Sequence, residues 1–195
     1  MRQEERRART RTAIVAAARK RFGEVRFADT TIDGIAAAAD VAKGAVYHHF
    51  ASKEALFASV FEAVSTELVA KVAASARPEA DPLDNLVRAT RTYFALCADP
   101  PVARITLQDA PGVLGYERWR QLDAAHFGGL VSGGLQAAMR AGAIDEQPLA
   151  PLANIVLAAI QAAALDCAAQ DDFETAAEAY LQSFVAILQG LAASD

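Results

Sequence analysis

Residues that cross-link small proteins or bind metals are scarce in this chain of 195 residues. It contains two cysteines, Cys97 and Cys167, and three histidines. The cysteines lie far apart among alanines and leucines, which predicts buried, reduced thiols rather than a disulfide framework. Two of the histidines are adjacent, and His126 alone makes no metal site. We therefore expect no metal ion and no cofactor.

The sequence also shows no pattern typical of secretion or membrane insertion. Met1 is followed by charged residues instead of an apolar segment with a small-residue cleavage site, so we expect a cytoplasmic protein. The longest apolar stretch, residues 152–169, is interrupted by Asn154, Gln161 and Asp166, whereas a membrane span needs about 20 mostly apolar residues. We expect a helix buried at an interface there, and no membrane partner.

The motifs of common enzymes are absent too. No GxxxxGK[ST] segment is available to cradle a phosphate, and residues 130–134, LVSGG, lack the first glycine of a nucleophile elbow. No catalytic residue is assigned, and the sequence predicts a protein that is not an enzyme. An enzyme with its active site in an apolar cavity is the main alternative.

Helix-forming residues dominate what is present. Hydrophobic residues make up 53% of the chain, alanine is abundant, and β-branched runs are scarce, which predicts an all-α fold with a sizeable core. Ile14, Ala18 and Phe22 recur every fourth residue in a helix over residues 5–22 that Gly23 should close. Similar periodicity and capping signals predict further long helices over residues 53–76, 82–97, 116–140, 150–169 and 173–191.

Four glycines interrupt the predicted helix over residues 116–140, namely Gly128, Gly129, Gly133 and Gly134. Each glycine inside a helix costs about 1 kcal/mol relative to alanine. One interpretation is that a neighbouring helix packs against the bare backbone. The other is a bend that a ligand could alter. We favour packing.

Charge is distributed unequally along the chain. Up to Lys53 there are 11 Lys and Arg against 6 Asp and Glu, whereas the remainder holds 8 against 18. A basic first quarter on a chain with net charge −5 suggests that this part meets a polyanion. Five arginines lie within the first eleven positions, namely Arg2, Arg6, Arg7, Arg9 and Arg11.

Residues 31–53, TIDGIAAAADVAKGAVYHHFASK, have the pattern of a helix-turn-helix. Thr31 is a suitable N-cap for a first short helix, and small Ala36 fits the point where two helices cross. Apolar residues, namely Ile35, Ala39, Val41 and Val46, would hold the corner together. Asp40 stands at the turn, where a residue must adopt positive φ. The second short helix would be the recognition helix.

This segment resembles the TetR family of bacterial transcriptional regulators. VAKGAVYHHF, the following SK and the basic helix before Thr31 are all in register with the family pattern, over roughly the first third of the chain. Two residues depart from it, because Asp40 replaces the usual glycine of the turn and Ala42 replaces the usual capping serine or threonine. The resemblance implies about nine helices: an N-terminal three-helix DNA-binding domain and a larger helical domain for ligand binding and dimerisation.

The exposed positions of the recognition helix also point to DNA on their own chemistry. Lys43, Gly44 and Ala45 would face base edges in the major groove, where lysine can donate to guanine and alanine can touch a thymine methyl group. Five further residues resemble the family's phosphate-contacting positions and would fix the register on the duplex, namely Thr31, Tyr47, His48, His49 and Lys53. The alternative for Tyr47 and His49 is that they belong partly to the core.

For a small-molecule effector, the resemblance implies a pocket among the central helices. We predict seven candidate residues there, namely Phe94, Cys97, Gln108, Trp119, Leu122, His126 and Gln161. Trp119 and His126 are the preferred candidates, and the aromatic side chains suggest an apolar or aromatic effector. Each of the seven is equally compatible with simple packing.

The last two predicted helices are apolar over more than one stripe, so two copies packed as a four-helix bundle would bury the excess. We therefore predict a DNA-binding domain over residues 1–53, and an effector and homodimerisation domain over residues 54–195. Together these features predict a regulator, expected to be a repressor, that binds a palindromic double-stranded DNA operator and is released by the effector. A helical adaptor that binds only protein would leave the recognition helix and the arginines unexplained.

Overall fold

The computed structural model describes residues 2–192, without the side chain of Arg2. This part of the chain is helical and has no strand beyond one isolated bridge between Ile144 and Ala192. The predicted all-α fold class is confirmed. The predicted helices over residues 5–22, 53–76, 82–97, 116–140, 150–169 and 173–191 are all present, with ends shifted by a few residues.

Nine helices make up the described chain. They are α1 (Arg2–Glu24), α2 (Ile32–Ala38), α3 (Lys43–His49), α4 (Lys53–Ala74), α5 (Pro82–Cys97), α6 (Pro100–Leu114), α7 (Tyr116–Arg140), α8 (Leu149–Ala169) and α9 (Phe173–Gly190), with a short 3₁₀ turn at Phe27–Asp29 after α1. We number α6 as one helix, although its winding changes twice along its length.

Polar side chains begin several of these helices, as their sequence positions predicted. The Thr31 hydroxyl accepts a hydrogen bond from the Gly34 N–H at the start of α2. At the start of α5, Asp81 accepts from two backbone N–H groups and Pro82 occupies the first turn. Each cap satisfies donors that a helix start leaves open.

Helix α6 is an element that the sequence patterns did not predict. Pro100 and Pro101 begin it instead of only ending α5, because a proline at a helix start loses no hydrogen bond. Its middle, Arg104–Asp109, is wound as a π-helix, and Ala110–Leu114 returns to α winding. Pro111 follows directly after the wide turn, where a missing N–H and a bulky ring are tolerated.

The chain forms two compact units. The first holds the residues up to Val64 together with Pro100–Trp119, and the second holds Ser65–Asp99 together with the residues from Arg120 onward. The predicted boundary after Lys53 separates DNA binding from effector binding and dimerisation, whereas these units are defined by compactness. That boundary stays a prediction.

The first unit is built around α1 and an aromatic cluster. Ile14, Ala18 and Phe22 are fully buried, as their spacing predicted. The ring centroids of Phe22, Phe27 and Phe57 lie 5.1–5.7 Å apart, a distance at which rings attract. In the second unit, buried side chains come from α5, α7, α8 and α9, and both cysteine thiols are buried and free.

Two predictions about glycine need correction. Gly23 does not close α1, which continues to Glu24. Gly23 is buried, and an added Cβ would lie 3.0 Å from Pro101, so the absence of a side chain lets Pro101 pack closely against α1. In α7, the packing interpretation holds for Gly134, where a Cβ would lie 2.5 Å from Leu86. Gly128, Gly129 and Gly133 would meet nothing within 4 Å.

One described helix, α8, is long and apolar enough to cross a membrane by length and composition alone. A third of the residues in its most apolar window are buried within the chain. Core helices of globular proteins meet the same criterion.

Candidate DNA interface and ligand cavity

Helix α3 separates an anchoring face from an exposed face. Val46 is buried, and so is Phe50 just after the helix, so apolar contacts hold α3 against the rest of the first unit. The other side presents Lys43, Gly44 and Tyr47, with the Tyr47 side chain 49% exposed. The core alternative for Tyr47 therefore has no support, and this face is free to approach a groove.

The turn before α3 has the conformation that the sequence required. Asp40 is the one described non-glycine residue with positive φ, at 53°. Ala42 occupies the N-cap of α3 and provides no side-chain hydrogen bond. The Ala45 N–H donates to the Ala42 carbonyl at 2.8 Å, and no side chain caps the N–H groups of Lys43 and Gly44 before it.

Lys43 is held by an ion pair in the DNA-free chain. Its Nζ lies 2.8 Å from Oδ2 of Asp33 on α2, and both side chains are more than half exposed. The carboxylate also raises the pKa of Lys43 through this hydrogen bond. Two N–H groups of the ammonium remain for a base, but the bond to Asp33 restrains the reach of Lys43 and the carboxylate partly neutralises its charge, so Asp33 opposes its contact with DNA.

Removing Lys43 should weaken DNA binding, and removing the charge of Asp33 should tighten it. We expect Lys43→Ala to weaken operator binding about tenfold and to relax the preference at one base position. Asp33→Asn should tighten binding by about two- to fivefold, because the lysine loses its competing partner. Fluorescence anisotropy with a labelled operator measures both.

Glu24→Gln is the matched control for Asp33→Asn. Glu24 lies 3.9 Å from Lys20 and 4.0 Å from Arg21 on α1, so its replacement removes the same charge from the same unit. Equal tightening by both variants would mean that Asp33 acts only through net charge.

The paired histidines differ in their surroundings. His48 is exposed and His49 is half-buried, with ring centroids 5.4 Å apart. Burial lowers the pKa of His49, and the neighbouring His48, Arg7 and Arg11 lower it further. His49 is therefore neutral near pH 7, where it can exchange hydrogen bonds with a phosphate but adds no charge.

Lys53 has a structural role in the first unit. Its Nζ donates to the backbone carbonyls of Phe27 and Thr30, at 2.8 and 2.9 Å, and lies 4.2 Å from the centre of the Phe27 ring. These contacts fix the segment between α1 and α2. One N–H of the ammonium group remains for a phosphate, so the predicted phosphate contact is compatible with this geometry. The backbone contacts give Lys53 a structural role in addition.

The N-terminal arginines lie on α1 rather than on a flexible arm. Arg6, Arg7 and Arg9 are exposed, whereas Arg11 donates to the Ser59 hydroxyl and stacks over Phe50 at 5.0 Å. The prediction for Arg2 lies outside the described side chains.

Helix α6 holds the loop between α1 and α2. The Phe27 N–H donates to Oδ2 of Asp109 at 2.8 Å, and Arg104 donates to the carbonyl of Gly23. Pro101 packs at the backbone of Gly23. Because Asp109 is 9% exposed, its bond to Phe27 is protected from water and α6 fixes the α1–α2 loop.

Replacing Asp109 tests this attachment. Asp109→Ala should lower the free energy of unfolding by about 2 kcal/mol, because a charged acceptor is lost and the Phe27 N–H is left unpaired. Asp109→Asn keeps an acceptor oxygen and should recover part of that loss. Urea unfolding measures both variants, with the exposed Asp29→Ala as control. An equal loss in Asp29→Ala would show that the Asp109 bond is not the cause.

A small cavity of about 50 Å³ lies in the second unit. Its wall is formed by Val72 from α4, Leu86, Ala89, Thr90 and Tyr93 from α5, Asp123, Phe127, Leu130 and Val131 from α7, and Leu157, Ile160 and Gln161 from α8. The lining is almost wholly apolar apart from a few polar atoms, which is typical of small-molecule sites.

Asp123 and Gln161 form the polar end of this cavity. Gln161 Nε2 donates to Asp123 Oδ2 at 2.7 Å, and both side chains are buried. Burial raises the pKa of Asp123 to about 6, and the Gln161 hydrogen bond opposes that rise. Burial raises the pKa of the nearby Cys97 thiol to about 12, so the thiol is neutral and unreactive.

Of the seven predicted effector residues, one lines this cavity, namely Gln161. Phe94 instead faces a groove formed with α9, and Cys97 is buried beside Tyr93. Leu122 and His126 are half-buried, and Gln108 is exposed. Trp119 belongs to the core of the first unit, where its indole N–H donates to the Thr106 carbonyl at 2.9 Å.

Asp123 is the site residue that sequence reasoning missed. It lies four residues after Trp119 and four before Phe127, on a stripe that continues through Val131 and Leu135 and is buried at every position. A carboxylate on an apolar helix stripe was the available signal. Leu122 and His126 precede Asp123 and Phe127 by one position, about 100° around the helix, and do not line the cavity.

The buried anchor, the turn at Asp40 and the exposed face of α3 define a helix-turn-helix DNA-binding protein. Two family models match the chain in agreement with this class. The family described as "Bacterial regulatory proteins, tetR family" matches residues 14–60, and the family described as "Tetracyclin repressor-like, C-terminal domain" matches residues 83–191. The chain belongs to the TetR family of transcriptional regulators.

Several solved structures share this fold over nearly the whole chain, among them a TetR-family transcriptional regulator. One from Pectobacterium atrosepticum is 27% identical, with a TM-score of 0.86 and coverage of 97% of both chains. RolR in complex with resorcinol is 17% identical, with a TM-score of 0.75 and coverage of 98% of this chain and 97% of that one.

FadR from Bacillus subtilis, in complex with stearoyl-CoA, is 18% identical, with a TM-score of 0.71 and coverage of 89% of this chain and 97% of that one. No curated protein sequence matches significantly.

Proposed function

We propose that this regulator is a ligand-responsive repressor in the cytoplasm that binds a palindromic operator as a homodimer and is released by a small molecule. One observation carries the proposal: the same chain has an exposed recognition helix and a buried, apolar cavity with one polar end. The relatives crystallised with resorcinol and stearoyl-CoA support a ligand-responsive role.

A homodimer through α8 and α9 is supported by apolar side chains that these helices leave uncovered. Ile155 is 67% exposed and Ile187 is 56% exposed. Large exposed aliphatic side chains on two neighbouring helices favour burial against a second copy. A two-fold dimer could then place two copies of α3 in successive major grooves, about 34 to 36 Å apart.

Charging this surface should separate the copies. We expect Ile155→Asp with Ile187→Asp to change the sedimentation mass from twice 20.6 kDa to 20.6 kDa, because two carboxylates would be buried in an apolar interface. Val25→Asp, at another exposed apolar position, should leave the mass unchanged. A double variant that stays dimeric would place the interface elsewhere.

Effector binding would oppose DNA binding through a shift in conformational populations. The cavity of about 50 Å³ is far below the roughly 300–1,000 Å³ of typical ligand sites, so a ligand of ordinary size must separate its helices. A hundredfold loss of operator affinity requires a coupling of about 2.7 kcal/mol. Helix α6, which directly follows α5 in sequence and holds the α1–α2 loop, is the element we expect to respond.

Selection of bound duplexes from a random pool, followed by sequencing and a salt titration, tests the proposal. A palindromic site whose affinity falls steeply with salt would support a two-fold DNA reader. No enriched sequence, with binding lost at moderate salt, would leave only non-specific attraction to the basic first quarter. A ligand that fills the cavity without changing operator affinity would not be the effector.

A further inference from the structure

We propose that the cavity takes a small organic cation, a protonated amine on a short apolar body, held by the carboxylate of Asp123. This inference rests on the proposed function in one respect, namely that the cavity is the effector site. It narrows the ligand from any apolar or aromatic molecule to one charge class.

The polar end of the cavity has a negative charge and no positive one. Asp123 is 5% exposed, and its carboxylate accepts a hydrogen bond from the neutral amide of Gln161. No lysine, arginine or histidine is among the described residues that line the cavity. A carboxylate buried without a cation is unfavourable. An ammonium group would supply the missing countercharge and a strong hydrogen bond.

The other titratable groups near Asp123 cannot supply that charge. Tyr93 and Cys97 on α5 interact electrostatically with Asp123, and burial raises the pKa of both far above neutrality. Both are therefore uncharged at pH 7. Neither removes the need for a cation beside Asp123.

The aromatic walls favour the same ligand class. The rings of Tyr93 and Phe127 meet edge to face at 5.1 Å, and both side chains line the cavity with Asp123. Aromatic faces attract cations and accept apolar groups equally well. An anion would meet the carboxylate of Asp123, which repels it.

A matched ligand series on the full-length protein tests the charge class. Butylammonium chloride, 1-butanol and sodium butyrate share a four-carbon chain, which suits a small cavity, and differ in the charge of the polar end. We expect butylammonium to bind at least tenfold more tightly than 1-butanol, and butyrate not to bind, in NMR titrations at pH 8 and constant ionic strength. Stronger binding of the alcohol or of butyrate would overturn the proposal.

Two variants then locate the charge. Asp123→Asn should abolish the preference for butylammonium over 1-butanol. Asp166→Asn removes an exposed carboxylate of the same unit, bonded to Tyr180, and should preserve that preference. If both variants keep the preference, Asp123 is not the recognition group; if both lose it, the amine binds only to the acidic surface. The ligand series on the unaltered chain is decisive even if a variant fails to fold.

Operator release, measured with each ligand in the same series, separates this proposal from the proposed function. A neutral ligand that fills the cavity and releases DNA would overturn the cation and leave the ligand-responsive repressor intact. An amine that binds at Asp123 without releasing DNA would support the cation and count against the effector role.

Discussion

Gly44→Leu should abolish most sequence-specific DNA binding while leaving the protein fully folded. A Cβ at Gly44 would meet nothing within 4 Å, so the isolated chain has room for a larger side chain. In a complex, Gly44 lies on the exposed face of α3, where its bare backbone lets the helix approach base edges. We expect operator affinity to fall at least about a hundredfold, or about 2.7 kcal/mol, with no decrease in Tm, because leucine favours a helix more than glycine does.

Gly112→Leu is the control, because Gly112 is also exposed in the first unit and its Cβ would also meet nothing within 4 Å. It should retain operator affinity. Anisotropy titrations and thermal unfolding of both variants give the comparison. If Gly44→Leu bound the operator like the unaltered protein, α3 would not enter the groove with this face.

Asp123→Asn should stabilise the protein at neutral pH and have little effect at low pH. Burial raises the pKa of Asp123 from 3.8 to about 6, so ionising this carboxyl opposes folding. Its contribution is most favourable below pH 4 and is lost as pH rises through about 6. A rise of this size corresponds to about 3 kcal/mol. Asparagine keeps the shape and can still accept from Gln161, but it does not ionise.

The difference in free energy of unfolding between Asp123→Asn and the unaltered protein, measured with urea from pH 4 to pH 8, checks this. It should grow by about 2.5 kcal/mol across that interval, because a small part of the effect is already present at pH 4. A flat profile for Asp123→Asn would mean that Asp123 ionises as easily in the folded chain as in the unfolded one.

The DNA-binding segment could be predicted closely because its constraints are local. A cap at Thr31, a turn at Asp40 and apolar residues at helical spacing all act within 20 or so residues, and each has a recognisable residue type. The ion pair between Lys43 and Asp33 was not predicted, since it depends on the crossing of two helices and not on spacing within one.

The cavity lining could be predicted less closely because it is assembled from four helices. Burial of one face of α7 decides that Asp123 lines the cavity, whereas the predicted Leu122 and His126 lie one position earlier and do not line it. Large aromatic residues were also misleading, since Trp119 serves the core of the first unit. The sequence does not predict that Pro100 and Pro101 begin α6, because a proline that begins a helix and one that follows a helix look alike in sequence.

The π winding of Arg104–Asp109 determines the direction in which the following residues of α6 point. Hydrogen bonds in a π-helix join residues i and i+5 instead of i and i+4, so a π turn holds about one residue more than an α turn. Rewinding this stretch as α-helix would rotate the residues after it by about 100° and advance them by about 1.5 Å. Asp109 would then lie too far around the helix to accept from the Phe27 N–H, so the attachment of the loop before α2 depends on the π winding of α6.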